Sequence, residues 1–261
     1  MIDRVEVFIA GVQKAGTTAL FSYLSEHQRL VPGIAKELHF FDDELHDWQS
    51  GDYSSYHAHF VPRPGQDQTC MAFDVTPIYA FWPTALARIH SYNPDARIIL
   101  IHRDPIERAW SHWRMERQRG AETLSFSEAI REGRRRLDQA APLDNPHRVF
   151  TYVERGYYAR QLDHVLSVFP QSQVLLLTSG MLDRQPQDVL QRIAAFLGIS
   201  PFGPVAPRRE HVGTTSWPAP DGDDIAYLRD LFIDDTLRFA RMTNLPLEDW
   251  PTLNRAVSLT G

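Results

Sequence analysis

Short apolar runs alternate along the chain with longer segments in which apolar residues recur every three or four positions. The short runs have the length and β-branched content of strands, and the longer segments have the periodicity of amphipathic helices. Because the short runs are nearly continuous in apolar residues, they are typical of strands covered on both faces. They predict strands at Val5 to Ala10, Met71 to Val75, Arg97 to His102 and Val174 to Thr178. The periodic segments predict a helix around Leu20, Phe21 and Leu24, and helices over Pro83 to Ser91, Ile106 to Arg119, Ser127 to Leu137, Tyr157 to Phe169, Gln187 to Leu197 and Asp223 to Trp250.

This alternation predicts an α/β fold with a central parallel sheet, flanked by helices and joined by right-handed crossovers. The 18 prolines and 14 glycines are spread along the chain and are not collected in a linker, so we predict one domain over residues 1–261. Ligands of such sheets bind at the carboxyl ends of the strands. Gly11, Asp74 and Arg103 lie at predicted strand ends, and we expect the functional site there.

Composition excludes several classes of protein. With 43% hydrophobic and 23% charged residues, the 261-residue chain is that of an ordinary globular protein and not of a disordered, collagenous or coiled-coil one. Lys and Arg total 27 against 33 Asp and Glu, a net charge of −6. The protein as a whole therefore repels polyanions, and we expect no general binding of nucleic acid.

The cysteine and hydropathy patterns point to the cytoplasm. Cys70 is the single cysteine, so an intramolecular disulfide and a thiolate zinc site are both excluded. No apolar stretch reaches the eighteen or so residues that a membrane span requires, and the first residues lack the basic and apolar regions of an export signal. We expect a cytoplasmic protein with no membrane span.

The segment Gly11 to Thr18, GVQKAGTT, follows a predicted strand and opens a predicted helix. Backbone N–H groups at the start of a helix, together with the helix dipole, favour an anion there. Gly11 and Gly16 permit a tight turn and close approach of the ligand, and Thr17 adds a hydroxyl group. The segment predicts a phosphate-binding loop, with a simple strand-to-helix turn as the alternative.

The glycine spacing of this loop is that of a Walker A motif, but its lysine is displaced. Thr17 occupies the position of the Walker lysine, and Lys14 lies inside the loop. From that position Lys14 is expected to contact the inner part of the anion, which suits a leaving phosphate better than the transfer of an outer one. A nucleotide kinase with an atypical loop remains an alternative.

A second polar motif, KELHFFD, spans Lys36 to Asp42. If this segment is extended, Glu37 and His39 point to the same side, and either side chain can take a proton from an alcohol. A surface charge pair between Lys36 and Glu37 is the alternative.

A third motif, RIILIHRDPIERAWSHW, runs from Arg97 to Trp113. Arg103 ends a predicted strand, and Ser111 follows it by eight residues, or about two helical turns, so both side chains can face one ligand. A guanidinium fork and a hydroxyl group are suited to phosphate. The alternative is a capping salt bridge at the start of the helix, and we expect Asp104 to cap that helix in either case.

Together, and in this order, the three motifs resemble those of sulfotransferases that use 3′-phosphoadenosine 5′-phosphosulfate (PAPS), above all the heparan-sulfate-type group and its bacterial relatives. The resemblance covers nearly the whole chain and implies a P-loop-like phosphosulfate-binding loop in a sulfotransferase fold. It implies PAPS as co-substrate, 3′-phosphoadenosine 5′-phosphate (PAP) as product, and no metal. The residues that it assigns to the nucleotide are Gln13, Lys14, Ala15, Gly16, Thr17 and Thr18 of the loop, Arg103 and Ser111 at the 3′-phosphate, and Tyr157, Arg208, Arg209 and Gly213.

The resemblance also implies roles in an in-line displacement at sulfur. Glu37 is favoured as the base that deprotonates the acceptor, although His39 remains open as the base. Lys14, with Lys36, is expected to stabilise the charge on the leaving 5′-phosphate. Lys36, Asp42 and Asp74 are expected to contact the acceptor, with His39 beside them.

One departure from the heparan-modifying pattern concerns the acceptor. The lysine that follows the strand end in those enzymes is Val75 here. We therefore expect a small-molecule, natural-product or carbohydrate acceptor, such as a lipid-linked sugar, in place of heparan. A nucleotide-binding module without catalysis is the alternative from another class, and O- against N-sulfation and the oligomeric state stay open.

Three further clusters have plain interpretations. The arginines at 131, 134, 135 and 136 form either a solvated face or a contact for an anionic acceptor. Trp82, Trp110 and Trp113 are expected in the core, with an acceptor wall as the alternative. His57 and His59 are expected to form a surface pair and not a metal site.

Overall fold

A computed structural model describes residues 2–66, 69–208 and 217–254 of the chain. In these residues a parallel sheet has the strand order β2-β3-β1-β4-β5. The α/β class and the central parallel sheet are confirmed, and the four predicted strands agree with the structure within one residue. The strands are β1 (Val5–Gly11), β2 (Leu30–Pro32), β3 (Met71–Val75), β4 (Arg97–His102) and β5 (Val174–Thr178).

The helices follow the predicted periodicity closely in most places, with short additional turns between them. The helix predicted over Asp223 to Trp250 is shorter than expected, because it ends at Thr243, where Asn244 adopts the left-handed conformation and caps it. Contacts divide the chain into two compact units, one formed by residues 1–102 and 164–212 and the other by residues 103–163 and 213–261. That the chain is one domain remains a prediction. The helices are α1 (Thr17–Ser25), α2 (Ser54–His57), α3 (Ala85–Tyr92), α4 (Pro105–Gln118), α5 (Phe126–Ile130), α6 (Arg135–Asp138), α7 (Asn145–Val149), α8 (Tyr158–Val168), α9 (Ser179–Arg184), α10 (Pro186–Leu197) and α11 (Gly222–Thr243).

The first unit contains the whole sheet. β1 lies between β3 and β4, and its side chains from Val7 to Ala10 are completely buried, which explains the unbroken apolar run. Because all the strands are parallel, their carboxyl ends lie at one edge of the sheet. The loops that follow β1 and β3 therefore begin side by side, and Ile9 is paired with Val75.

The second unit is built around α4, α5 and α11. Trp110 and Trp113 stack at 4.9 Å and pack with Phe126 in its core, which confirms the expectation that they are core residues. Trp82 is likewise buried, in the first unit. Gly156 lies against Phe232 so closely that a Cβ atom would be 2.5 Å from the ring.

The helix predicted over Ser127 to Leu137 is wrong, because the segment is interrupted. α5 ends at Ile130, a 3-10 turn covers Glu132–Arg134, and α6 follows. Gly133, which lowers helix propensity, lies at the interruption. The N-cap of α5 is Ser125, which forms a capping box with Glu128.

Acidic partners neutralise the arginines at 131–136. Each of the four guanidinium groups has a carboxylate partner within the second unit, so their charges are already balanced by the protein. This arrangement favours a structural, solvated face over a contact for an anionic acceptor. The pairs are Arg131–Asp224, Arg134–Glu154, Arg135–Glu132 and Arg136–Glu122.

Candidate functional site

The loop after β1 is shaped by close packing at its first residue. A Cβ atom on Gly11 would lie 3.1 Å from Leu100 Cδ2 and 3.2 Å from Ala80 Cβ, so a side chain there would displace its neighbours. The next amide, that of Val12, donates to the Ile101 carbonyl oxygen at 2.8 Å. The loop therefore leaves the sheet in a fixed direction.

The same loop ends in an open helix N-terminus. Lys14 and Gly16 have positive φ values of 72° and 93°, and Gly16 is the N-cap of α1 without a side chain to accept from the first amides. The first turn of α1 contains no acidic residue, and it begins with the buried Thr17 and the half-buried Thr18. Such an end is suited to a bound anion, as the glycine pattern predicts. Gln13 is half-buried and Ala15 is buried in the same loop.

The segment from Lys36 to Asp42 is not extended, so the condition under which simple alternation would align Glu37 and His39 is not met. Glu37 and His39 both have positive φ values, 63° and 54°. The left-handed conformation costs a non-glycine residue about 1 kcal/mol or more, and residues held in it cluster at functional sites. The two side chains nevertheless meet, with Glu37 Oε2 3.8 Å from His39 Nε2.

Four polar side chains of this segment form one continuous chain of contacts. Lys36 Nζ donates to Glu37 Oε1, and the other Glu37 oxygen faces His39. His39 Nδ1 lies 2.9 Å from Asp42 Oδ2. Exposure of the side chains is 18% for Lys36, 27% for Glu37, 45% for His39 and zero for Asp42. The arrangement runs from the protein interior at Asp42 to a solvent-accessible carboxylate and imidazole.

These contacts fix the ionisation of Glu37 and His39. Burial by itself raises the pKa of the Glu37 carboxyl, but the nearby His39 ring, the hydrogen bond from Lys36 and the charge of Lys36 outweigh it and hold that pKa at about 2. Burial by itself lowers the pKa of His39, but the hydrogen bond to Asp42, the nearby Glu37 carboxylate and the charges of both outweigh it and raise that pKa to about 9. At neutral pH the pair is a carboxylate beside an imidazolium.

The sheet places this segment next to the loop that is predicted to bind phosphate. The Glu37 amide donates at 2.8 Å to the carbonyl oxygen of Val75, the last residue of β3. β1, which leads into the loop with Lys14, is the neighbour of β3. The predicted loop and the predicted proton-accepting residues therefore lie at one edge of adjacent strands.

Asp74 is buried, and both of its carboxylate oxygens accept hydrogen bonds from protein hydroxyl groups. Its Oδ1 accepts from Thr76 at 2.7 Å, and its Oδ2 accepts from the hydroxyl groups of Tyr56 at 2.9 Å and Tyr79 at 3.0 Å. Only 1% of Asp74 is exposed. This burial does not support the predicted contact between Asp74 and a substrate.

In the second unit, Arg103 lies just before α4, and Ser111 lies in the middle of that helix. Arg103 Nε donates to Glu107 Oε2 at 2.9 Å, and Ser111 is 9% exposed. Asp104 Oδ1 accepts from the Ile106 amide at 2.9 Å and the Glu107 amide at 3.2 Å, which confirms the predicted helix cap. The ion pair of the capping alternative is thus present, and a phosphate contact by Arg103 stays a prediction.

Tyr157, the position for which nucleotide contact and core packing are both open, is half-buried in the second unit. Its ring packs edge-on against Phe232 at 5.4 Å, and the Arg160 guanidinium lies 5.2 Å from the ring centre. This packing favours the core interpretation, and nucleotide contact by Tyr157 stays a prediction.

Arg208 is held against α1 within the first unit. Its guanidinium pairs with Glu26 at 2.6 Å, and its amide donates to the Tyr23 hydroxyl at 2.8 Å. Arg209 and Gly213, the other two predicted nucleotide contacts of this segment, lie outside the described residues. Their roles stay predictions.

Among the residues that the structure describes, no group of three or more His, Cys, Asp or Glu side chains is arranged to hold a metal ion. Within the same residues, no helix combines the length and the apolar character that crossing a membrane would take.

Comparison with known proteins gives the family. The pattern described as "Sulfotransferase domain" matches residues 4–212, well over half of the chain. The chain belongs to the sulfotransferase family. This result confirms the resemblance carried by the three motifs, and family membership favours a sulfotransferase over the kinase alternative.

Two curated human relatives of this sulfotransferase chain are named for different reactions. It is 31% identical over 195 residues to heparan sulfate glucosamine 3-O-sulfotransferase 6, covering 74% of this chain and 52% of that one. It is 30% identical over 208 residues to bifunctional heparan sulfate N-deacetylase/N-sulfotransferase 3, covering 76% of this chain and 23% of that one. The chain thus spans about half the length of the first relative and less of the second.

A bacterial structure matches the sulfotransferase chain over almost its full length. The crystal structure of a sulfotransferase from Alicyclobacillus acidocaldarius superposes with a TM-score of 0.76 at 28% identity, covering 95% of this chain and 99% of that one. This likeness extends beyond residues 4–212 and confirms the sulfotransferase fold.

Sequence reasoning missed the residues that hold the segment with Glu37 and His39 in place. Arg88 donates to the Phe41 carbonyl oxygen at 3.0 Å and pairs with Glu44 at 2.6 Å. Glu44 also accepts from Trp82 Nε1 at 2.7 Å. The two partners of this ion pair are 44 positions apart, and in the sequence each looks like an ordinary surface charge. The Tyr79 hydroxyl, which accepts from the Phe40 amide 39 positions away, was missed because contacts at such separations leave no local pattern.

Proposed function

We propose that the protein transfers the sulfuryl group of PAPS to a hydroxyl group of its acceptor. The observation that supports this function best is the continuous chain Lys36–Glu37–His39–Asp42, which presents a carboxylate beside an anion-binding loop. A module that only bound nucleotide would have no use for a solvent-accessible carboxylate ordered in this way.

For the donor, we propose that the loop from Gln13 to Thr18 holds the 5′-phosphosulfate. Amides at the start of α1 and the Lys14 ammonium would neutralise the bridging oxygen as the S–O bond breaks. Arg103 and Ser111 are proposed for the 3′-phosphate, as the resemblance implies. Tyr157, Arg208, Arg209 and Gly213 remain further proposed nucleotide contacts.

We propose Glu37 as the base. His39, with its pKa raised to about 9, is protonated at neutral pH and has no lone pair with which to accept a proton. Glu37 is ionised and 27% exposed. As the acceptor oxygen attacks sulfur, its proton passes to Glu37, the new S–O bond forms, and the electron pair of the old S–O bond leaves with PAP. His39, held by Asp42, orients Glu37.

A carboxyl with a pKa of about 2 is a weak base, and Lys36 offers a way to strengthen it. The Lys36 ammonium is hydrogen-bonded to Glu37 and favours its charged form. We propose that Lys36 turns from Glu37 to the transferring group when donor is bound. One movement then places a cation at the leaving end and raises the proton affinity of Glu37.

No metal is part of the proposed mechanism. A transferring sulfuryl group carries less negative charge than a phosphoryl group, so Lys14, Lys36 and the loop amides can balance the charge that develops on the leaving oxygen. The cytoplasmic location predicted from the single cysteine stays a prediction.

The charge of the segment that begins with Glu37 suggests the class of acceptor. Residues 37–62 contain no lysine or arginine, and their acidic residues include the exposed Asp43 and Asp47. Val75 adds no cation at the strand end. A sulfated polyanion would be repelled here, so we propose a neutral acceptor, either a carbohydrate or a small-molecule natural product. The six acidic residues of this stretch are Glu37, Asp42, Asp43, Glu44, Asp47 and Asp52.

A cluster of rings next to His39 suits such an acceptor. Phe40, His46 and Trp48 contact one another, with ring centres 4.6 to 5.4 Å apart, and each ring is half-buried. Partly exposed rings of this kind stack on sugar and aryl groups. The named activities of the curated relatives include both O- and N-sulfation, and the proposed base serves a hydroxyl or an amine.

Turnover of PAPS tests the function. The full chain is incubated with PAPS and a panel of neutral sugars and phenolic or aliphatic alcohols, and PAP release and acceptor mass are measured. We expect an acceptor mass gain of one SO₃ unit, and a fall in kcat of about 100- to 10,000-fold in Glu37→Gln with PAP binding intact. Glu154→Gln, which breaks a similar ion pair with Arg134, is the matched control. Unchanged turnover in Glu37→Gln would remove Glu37 from the mechanism.

A further inference from the structure

A buried carboxylate outside the proposed reaction is connected to the segment that carries it. Asp74, near the end of β3, accepts hydrogen bonds from Thr76, Tyr56 and Tyr79, as described above. All three donors belong to the first unit, and Tyr56 and Tyr79 are completely buried. A buried charge held by three hydroxyl groups fixes the position of each of them, because no donor can leave without exposing the charge to an apolar environment.

The Tyr79 hydroxyl group is the member of this network that reaches the proposed active site. While its proton goes to Asp74, its oxygen accepts from the backbone amide of Phe40 at 3.2 Å and from that of Phe41 at 3.4 Å. These two amides directly follow His39 and directly precede Asp42. The Tyr79 hydroxyl group therefore anchors the backbone between His39 and Asp42, the carboxylate that favours the protonated form of His39.

We propose that Asp74, acting through the Tyr79 hydroxyl group, is a positioning residue for Glu37, His39 and Asp42. The inference rests on the proposed sulfuryl transfer for its catalytic meaning. Asp74 does not contact the acceptor in this assignment. It fixes the direction of the Tyr79 hydroxyl, and that hydroxyl fixes the backbone from which the reacting carboxylate and its imidazolium partner extend.

The backbone conformation explains why such an anchor is needed. Glu37 and His39 both have left-handed φ values, which neither side chain favours. The turn persists because bonds outside it hold it on both sides, the Glu37 amide on Val75 and the two later amides on Tyr79. If the Tyr79 bonds are removed, the residues after His39 can relax and the contact between His39 and Glu37 lengthens.

Three tyrosine variants separate positioning from general stability. Tyr79→Phe removes the bond to Asp74 and the acceptor for both amides. Tyr56→Phe removes a bond of similar length to Asp74, 2.9 Å against 3.0 Å, but no hydrogen bond to the segment. Tyr152→Phe removes a matched bond from a buried tyrosine to Glu122, at 3.0 Å, in the second unit. We expect kcat to fall about 10- to 100-fold in Tyr79→Phe, less in Tyr56→Phe and not at all in Tyr152→Phe, with Kd for PAP and KM for the acceptor within about twofold.

Amide hydrogen exchange gives a readout that does not depend on turnover. In Tyr79→Phe, exchange at residues 40 and 41 should quicken by about tenfold or more, while Tyr56→Phe leaves these amides protected. Asp74→Asn should give an intermediate result in both measurements, since the amide oxygen still accepts from one tyrosine.

The outcomes distinguish this proposal from the proposed function. If the three tyrosine variants lose activity in proportion to their loss of thermal stability, or if Tyr79→Phe retains both its turnover and its amide protection, Asp74 and Tyr79 position nothing and the proposal is overturned. If the unaltered protein transfers no sulfuryl group to any acceptor, the function fails. The exchange experiment then still decides whether Tyr79 holds the segment.

Discussion

Replacing Asp42 by asparagine tests the electrostatic basis of the proposed active site. Asp42 is completely buried, and its Oδ2 lies 2.9 Å from Nδ1 of His39. Asparagine keeps the shape and a hydrogen-bond acceptor but removes the negative charge. In the variant, the effect of burial on His39 is opposed by Glu37, at 3.8 Å, and by the charge of Asp74. We therefore expect His39 to lose its proton at a lower pH than in the unaltered protein.

The expected size of the change follows from the distances. A carboxylate within hydrogen-bond reach raises the pKa of its neighbour by about one to three units. Loss of Asp42 should bring the pKa of His39 from about 9 down to about 7. At pH 8, His39 would then be about 90% protonated in the unaltered protein and about 10% protonated in Asp42→Asn. The alkaline limb of kcat/KM should move by the same amount.

The stability of the folded protein should also depend on the titration of His39, and it should fall as pH rises. The pKa of His39 is raised in the folded state, so its ionisation stabilises the fold fully below about pH 6.5, its unfolded value, and this contribution is lost as pH rises through about 9. Because His39 is 45% exposed, solvent reduces the contribution of Asp42 to about 1 kcal/mol. The difference between the two proteins should be present at pH 6 and absent at pH 10.

Histidine NMR and urea unfolding measure the two effects. The chain has 11 histidines, so the spectrum of His39→Gln identifies the resonance of His39. His57, which contacts Tyr92 and whose pKa is lowered by burial, should titrate identically in both proteins. Constant differences, such as burial of the new amide, cancel between the two pH values. A His39 that titrates alike in both proteins, or a stability difference independent of pH, would refute the reasoning.

Two further variants test other parts of the chain. Arg103→Ala should weaken PAP binding by about 10- to 100-fold in calorimetry without magnesium and leave ADP binding within about twofold, because only PAP has a 3′-phosphate. Arg119→Ala, at the opposite end of α4, is the control. Equal losses for PAP and ADP would contradict the assignment. Gly156→Ala should lower the free energy of unfolding by about 1–3 kcal/mol, because its Cβ would lie 2.5 Å from the Phe232 ring. Gly203→Ala, with open space around the new Cβ, is the control and should change the free energy of unfolding little. Equal stability of the two variants in urea would show that the ring moves aside freely.

The strands of the sheet were predictable because their signal is local. Strands covered on both faces tend to be nearly continuous in apolar residues, and β1, β3 and β4 each contain such a run. β5 has one as well, although its first three residues are only half-buried at the edge of the sheet. β2 was missed because its three residues, Leu30–Pro32, are too few to form a pattern. The interruption at Gly133 shows the limit of periodicity, since apolar residues continued at helical spacing through a break in the helix.

The site was predictable only where chemistry and spacing are encoded in consecutive residues. The glycines and the helix start made the loop with Lys14 recognisable, and the acidic and imidazole side chains marked Glu37 and His39. How those two side chains meet was not predictable. Their contact depends on a left-handed turn held by Val75 and Tyr79, and bonds between residues 38 or more positions apart leave no periodic trace in the sequence.

Backbone conformation separates the proposed catalytic residues from the rest of the chain. Among the residues that the structure describes, five other than glycine have a positive φ, and Lys14, Glu37 and His39 are three of them. Asn244 is the C-cap of α11, where asparagine commonly adopts this conformation, and Leu143 lies in a loop. The left-handed conformation at the three residues proposed for chemistry lowers the stability of the fold, and such conformations persist only where the surrounding structure holds them. A sequence that holds a lysine, a glutamate and a histidine in unfavourable conformations, with buried bonds devoted to keeping two of them there, is best explained by a reaction that needs all three side chains at fixed positions.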